Sequence, residues 1–133
     1  MLVVDASVLA DALLDDGPAG RQCRDELAAD DRWAAPSHLT VEILSVVRGR
    51  LLGRKITRER ADEAVLALGE LAVELVESGQ LITRVWQLRG NATAYDATYV
   101  AAAEAMECPL VTRDRRLSRA RGIRCEVRLV KGE

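Results

Sequence analysis

The chain has 133 residues, 49% of them hydrophobic and 30% charged, with a formal net charge of -2, the profile of a globular domain able to bury a core without staples. No apolar run approaches the roughly 20 residues of a membrane helix, and the charge balance lacks the strongly basic footprint of a general nucleic-acid binder. Cys23, Cys108 and Cys125 are too few and too widely spaced for a disulfide framework or a zinc site, so they read as small apolar fillers. Met1 to Val4 is too short, and lacks the basic flank, for a signal peptide. The expectation is one cytoplasmic domain over 1–133 with no membrane contact.

"LVV" is a short apolar run without alternation and predicts a first, fully buried strand. Helices are predicted from Ser7 to Leu14 and, after "DDGPAG", from Ala19 to Ala28. "RWAA" before Pro36 predicts a second strand. In "LTVEILSVVRGRLL" the apolar residues Leu39, Ile43, Val46, Val47 and Leu51 share one helix face. Thr57 is a good N-cap for a helix through "RADEAVLALGEL", "AVELV" reads as a third strand, and "LITRVWQLR" as a short helix before a loop at "GNAT". A long helix is predicted over 94–106, a strand at "LVT", one exposed helical turn at "RDRRLSRA", and a final strand in "IRCEVRLV". This alternation predicts an α/β fold, a three-layer α/β/α sandwich on a mostly parallel sheet of about five strands, in which ligands sit outside the carboxyl ends of the strands.

Four acids fall near that rim. Asp5 ends the first strand, where a local cap for the next helix is an alternative role. Glu42 lies beside the buried stripe of its helix, where a carboxylate is costly unless paired, although a first-turn glutamate also suits the helix dipole. Thr93 and Asp96 in "TAYD" match a capping box. Asp114 follows the "LVT" strand and could simply cap the next turn. Together, carboxylates converging on one rim would repel one another unless a cation neutralised them. Oxygen ligands without histidine or cysteine select a hard cation, Mg²⁺ or Mn²⁺. Ser7 and Thr112 stand close to Asp5 and Asp114 as polar helpers, with a local cap and a packed strand residue as their ordinary roles. His38 reads as a surface residue near a helix start, and Trp33, Trp86 and Tyr99 as core or interface. Of the 19 basic residues only Lys55 and Lys131 are lysine. Arginine grips phosphate as a bidentate fork, so Arg113, Arg115 and Arg116 beside the rim are candidate contacts to an RNA backbone.

"VVDASVL", "LTVEIL", "NATAYDATYVAAAEA" and "PLVTRDRRL" resemble, in order and over nearly the whole chain, the successive motifs of PIN domains, specifically VapC-type toxins of bacterial toxin-antitoxin pairs. The resemblance implies a metal-dependent endoribonuclease with Asp5, Glu42, Asp96 and Asp114 as its catalytic, metal-binding acids and Thr112 as a nearby polar helper. It further implies RNA as substrate, products with a 5′-phosphate and a 3′-hydroxyl, a homodimer, and inhibition by a VapB-type antitoxin. A haloacid-dehalogenase-like phosphatase would want D-x-D, and the second position here is Ser7. A receiver domain would want clustered acids after the first strand and a late lysine, whereas Asp5 stands alone and Lys131 lies in the tail. The remaining alternative is a non-catalytic PIN-like module that binds RNA or a partner.

Overall fold

The computed structural model describes residues 1–131; the last two positions of the domain expected over 1–133 lie outside the described residues. Five strands, β1 (Leu2–Val4), β2 (Trp33–Pro36), β3 (Val73–Val76), β4 (Leu110–Thr112) and β5 (Val127–Leu129), form one sheet in the order β3-β2-β1-β4-β5. Every pairing in it is parallel. β1 and β4 are wholly buried, as their unalternating apolar runs require of strands covered on both faces.

The chain winds outward from β1 to β3, crosses back to β4 and continues to β5. Right-handed crossovers therefore place the helices of the two halves on opposite faces of the sheet. α1 (Ala6–Leu14), α2 (Pro18–Ala28), α3 (Leu39–Leu52) and α4 (Arg58–Glu70) pack together in one layer, while α5 (Ile82–Gln87) packs on α6 (Ala94–Ala105), which lies against β1, β2 and β4. A short α7 (Arg115–Arg119) follows β4. Strand order reverses between β1 and β4, so the crevice at their carboxyl ends is the topological switch point where ligands bind in such sheets.

Sequence and fold agree closely along the chain. Thr57 caps α4, its hydroxyl accepting from the Arg60 amide at 3.1 Å. Pro36 ends β2 without cost, because the ladder to β1 stops at Ala34 and only β3 continues alongside it. Gly20 on α2 approaches α1 so closely that a Cβ would meet the Asp15 carbonyl oxygen at 1.8 Å. β5 is shorter than "IRCEVRLV" suggests, for a specific reason. Arg84 donates to Glu104 Oε2 at 3.1 Å and to the Gly122 carbonyl at 2.6 Å, and the Arg124 amide donates to the same Glu104 oxygen at 2.8 Å. Gly122 and Arg124 are thus tied to side chains instead of to a ladder. Cys23 is a buried filler as expected, Cys108 and Cys125 are half-buried, and all three are free. Among the described residues no helix is long and apolar enough to cross a membrane.

Candidate active site

Asp5 is the hinge between sheet and helix. Its amide donates to the Val111 carbonyl at 3.0 Å, continuing the β1–β4 ladder, while its own carbonyl accepts from Val8 and Leu9 to start α1. The residue occupies the N-cap position, yet its carboxylate caps nothing. Oδ2 instead accepts from Thr112 Oγ1 at 2.6 Å and Ser7 Oγ at 2.9 Å. The local-cap role considered for Asp5 therefore does not hold. Ser7 likewise does not act as a local cap: it donates to Asp5 and accepts from the Arg113 amide at 3.2 Å. Thr112 is the packed strand residue expected, fully buried at the end of β4, and its hydroxyl also accepts from the Asp114 amide at 3.1 Å. One hydroxyl thus bridges two of the four acids.

Asp5 is 7% exposed. Burial pushes its carboxyl above the ordinary carboxylate value; the Thr112 and Ser7 hydrogen bonds pull it back, and the negative charges of Asp96 and Glu42 push it further up. Asp5, Glu42 and Asp96 therefore share one electrostatic environment. Glu42 comes from the first turn of α3, and its Oε1 accepts from Tyr99 Oη at 2.8 Å. His38 Nε2 lies 2.9 Å from that same oxygen but without hydrogen-bond alignment. His38 stands at the start of α3 as expected but is half-buried, its ring edge-on to both Tyr95 and Tyr99 at centroid distances of 5.6 and 5.3 Å.

At Asp96 only half of the capping box forms. Thr93 Oγ1 accepts from the Asp96 amide at 3.2 Å, and among the described contacts the Asp96 carboxylate does not reach back, which leaves it for the rim. Asp114 does cap: Oδ1 accepts from the Arg116 and Leu117 amides at 2.8 and 3.4 Å. Among the described residues its other oxygen has no hydrogen-bond partner. Arg115 and Arg116 are exposed, and Arg116 joins Asp96, Thr93 and Asn91 around a cleft of about 260 Å³. Arg113, by contrast, turns to Asp11, which also holds Arg50 at 2.8 Å. A larger cavity of about 580 Å³ between Cys108 and Cys125 opens at the amino ends of β4 and β5, the rim opposite the acids.

The donor set is all oxygen and mutually repulsive, which suits a hard cation. Among the described residues no three His, Cys, Asp or Glu side chains stand close enough to ligate one ion directly. The arrangement therefore fits a cation that keeps several waters and touches one or two carboxylates, the habit of Mg²⁺, rather than a closed protein cage. Sequence reasoning missed Tyr99 and Asp11 as partners of this rim. A buried tyrosine hydroxyl must find an acceptor, and that was the available signal for Tyr99.

The PIN domain family matches residues 2–123. Ribonuclease VapC1 of Mycobacterium tuberculosis is 40% identical over 130 residues, covering 97% of each chain. The crystal structure of M. tuberculosis VapC20, a sarcin-ricin-loop-cleaving toxin, superposes with a TM-score of 0.67 at 16% identity over 90% of this chain and 94% of that one. A chain of the crystal structure of VapBC2 from Rickettsia felis bound to a promoter DNA fragment superposes at 0.59, with 16% identity over 95% and 97%. The family match spans residues 2–123 and the VapC relative covers 97% of the chain at 40% identity: the chain belongs to the PIN-domain family, in its VapC branch.

Proposed function

We propose that this protein is a metal-dependent endoribonuclease, the toxin of a VapBC-type pair, working at the rim of Asp5, Glu42, Asp96 and Asp114. The observation that carries the reading is the Asp5 carboxylate, buried at the switch point between two other acids and held by two hydroxyls. A buried carboxylate facing two further acids is costly to a protein that only binds RNA, and useful to one that binds a cation. The end-to-end similarity to a ribonuclease supports the same conclusion.

In this reading Asp5, Glu42 and Asp96 hold Mg²⁺ or Mn²⁺, directly or through waters. The ion would acidify water and offset charge on the scissile phosphate. Ser7 and Thr112 fix Asp5 Oδ2 so that Oδ1 is presented in one orientation, and Asp114 orients a water through the oxygen its capping role leaves over. Arg115 and Arg116 contact the RNA backbone along the cleft beside Asp96. The reading also includes a VapB-type antitoxin, supported by the likeness to VapBC2, and a homodimer, which sedimentation of the purified chain would read.

Purified protein is expected to cut total cellular RNA at discrete positions with Mg²⁺ or Mn²⁺ and to be silent with chelator. Tight RNA binding without metal-dependent cuts would instead favour the non-catalytic module. The paired variant Arg115→Ala/Arg116→Ala should weaken RNA binding on every sequence tested and reduce the slope of log affinity against log salt by roughly one per lost phosphate contact. An unchanged slope would remove these arginines from the interface.

A further inference from the structure

We infer that Tyr99 is a positioning residue for the acid rim: its hydroxyl holds Glu42 Oε1 and leaves Oε2 as the oxygen Glu42 offers to the cation. The inference rests on the proposed metal-dependent reading and names a residue that the four acids and their serine and threonine helpers do not include.

Tyr99 is 1% exposed, and its ring lies in the core. Its hydroxyl nevertheless reaches the rim, donating to Glu42 Oε1 at 2.8 Å across 57 residues of sequence. Tyr99 follows Asp96 by three residues on α6, so one helix face delivers both an acid and the group that seats the acid of another helix. The Ala6 amide, next in chain to Asp5, also faces the tyrosine oxygen. Tyr99 therefore joins the start of α1, the first turn of α3 and the first turns of α6, the three elements that carry Asp5, Glu42 and Asp96.

A phenol carries its proton at neutral pH and a carboxylate can only accept, so Tyr99 is the donor in this bond. His38 crowds the same glutamate oxygen from the other side, and its ring packs edge-on to Tyr99. Oε1 is enclosed by both, while Oε2 has no partner among the described residues. A carboxylate gripped through one oxygen cannot rotate freely. The rotational freedom it would otherwise give up on meeting a cation is then already spent, the usual effect of a partner behind a ligand.

A merely structural tyrosine would make the same core contacts, so the test separates ring from hydroxyl. Mn²⁺ binding to the free protein is measured by electron paramagnetic resonance, without RNA or turnover, for wild type, Tyr99→Phe, Glu42→Gln and the double variant. Phenylalanine keeps the ring. Tyr99→Phe is expected to weaken Mn²⁺ by about 10-fold, within the range that lost outer partners cost a metal site, and to do nothing further once Glu42 is Gln. If Glu42→Gln weakens Mn²⁺ while Tyr99→Phe binds it like wild type, or if Tyr99→Phe costs as much in the Glu42→Gln background, the positioning role is overturned and the metal site stands. If wild type binds no Mn²⁺, or Glu42→Gln binds it unchanged, the functional reading itself fails and takes this inference with it. Should Tyr99→Phe fold poorly, Tyr99→Met, no larger and without a donor, applies the same non-additivity test in the same two backgrounds.

Discussion

Asp5→Asn will leave a folded protein that has lost its cleavage activity and its response to divalent cation, and that is at least as heat-stable as wild type when metal is chelated. The three parts have one cause. Asp5 is buried at the end of β1 and pushed above its ordinary value, first by desolvation and further by Asp96 and Glu42. A carboxyl raised in the folded state binds its proton more tightly there than in the unfolded chain. The wild-type protein without metal therefore loses stability as pH rises from the ordinary value of 3.8 through the raised one. Asparagine carries no such charge, and its carbonyl oxygen can still accept from Thr112 Oγ1 and Ser7 Oγ. The melting temperature of Asp5→Asn in chelator at pH 7 should thus equal or exceed that of wild type, with the gap narrowing toward acid pH. Adding Mn²⁺ should reverse the order, because a ligand stabilises only the form that binds it. The loss of activity should exceed the roughly 10–100-fold typical of partners one step removed from a metal. Retained metal-dependent cleavage, or a melting temperature raised by Mn²⁺ as in wild type, would remove Asp5 from the site.

The elements that place Asp5 were legible because they rest on local patterns. "LVV" and "LVT" do not alternate, so they belong inside a covered parallel sheet, and the rule for such sheets puts their following residues at the ligand rim. Thr57 and Thr93 announce the starts of α4 and α6 by their capping chemistry. What the sequence concealed are pairings between distant residues. Thr112 and Asp5 are 107 positions apart, Arg113 and Asp11 102, and Tyr99 and Glu42 57. No periodicity relates them, so Arg113 read as a free phosphate contact and Tyr99 as ordinary core. The full length of β5 was hidden in the same way, since its expected first residues answer to Glu104 and Arg84 on other elements. Local pattern thus revealed which elements form and which rim they face; the side-chain pairs that bring the elements together had to be seen.

Thr112→Val tests the longest of those pairings, and we expect it to impair both stability and activity. Valine keeps the branched shape at a fully buried position, so packing changes little. The hydroxyl it removes donates to Asp5 Oδ2 at 2.6 Å and accepts from the Asp114 amide at 3.1 Å. Ser7 remains as a donor to Asp5, but the Asp114 amide loses its acceptor, and about 1–3 kcal/mol of stability should go with these bonds. The Thr112 bond also holds the Asp5 carboxyl down against burial. Without it Asp5 titrates still higher, so the deficit relative to wild type should grow as pH rises and Asp5 ionises. In the proposed mechanism the same loss frees both Asp5 and the turn that carries Asp114, and cleavage should fall by about 10–100-fold. Thr112→Ser restores the hydroxyl without the methyl group and should recover most of the rate while remaining slightly less stable. A Thr112→Val protein that cleaves like wild type would mean that the hydroxyl satisfies the buried chain and does nothing for the site. Recovery in Thr112→Ser alone would show that the reaction depends on this one oxygen between two acids.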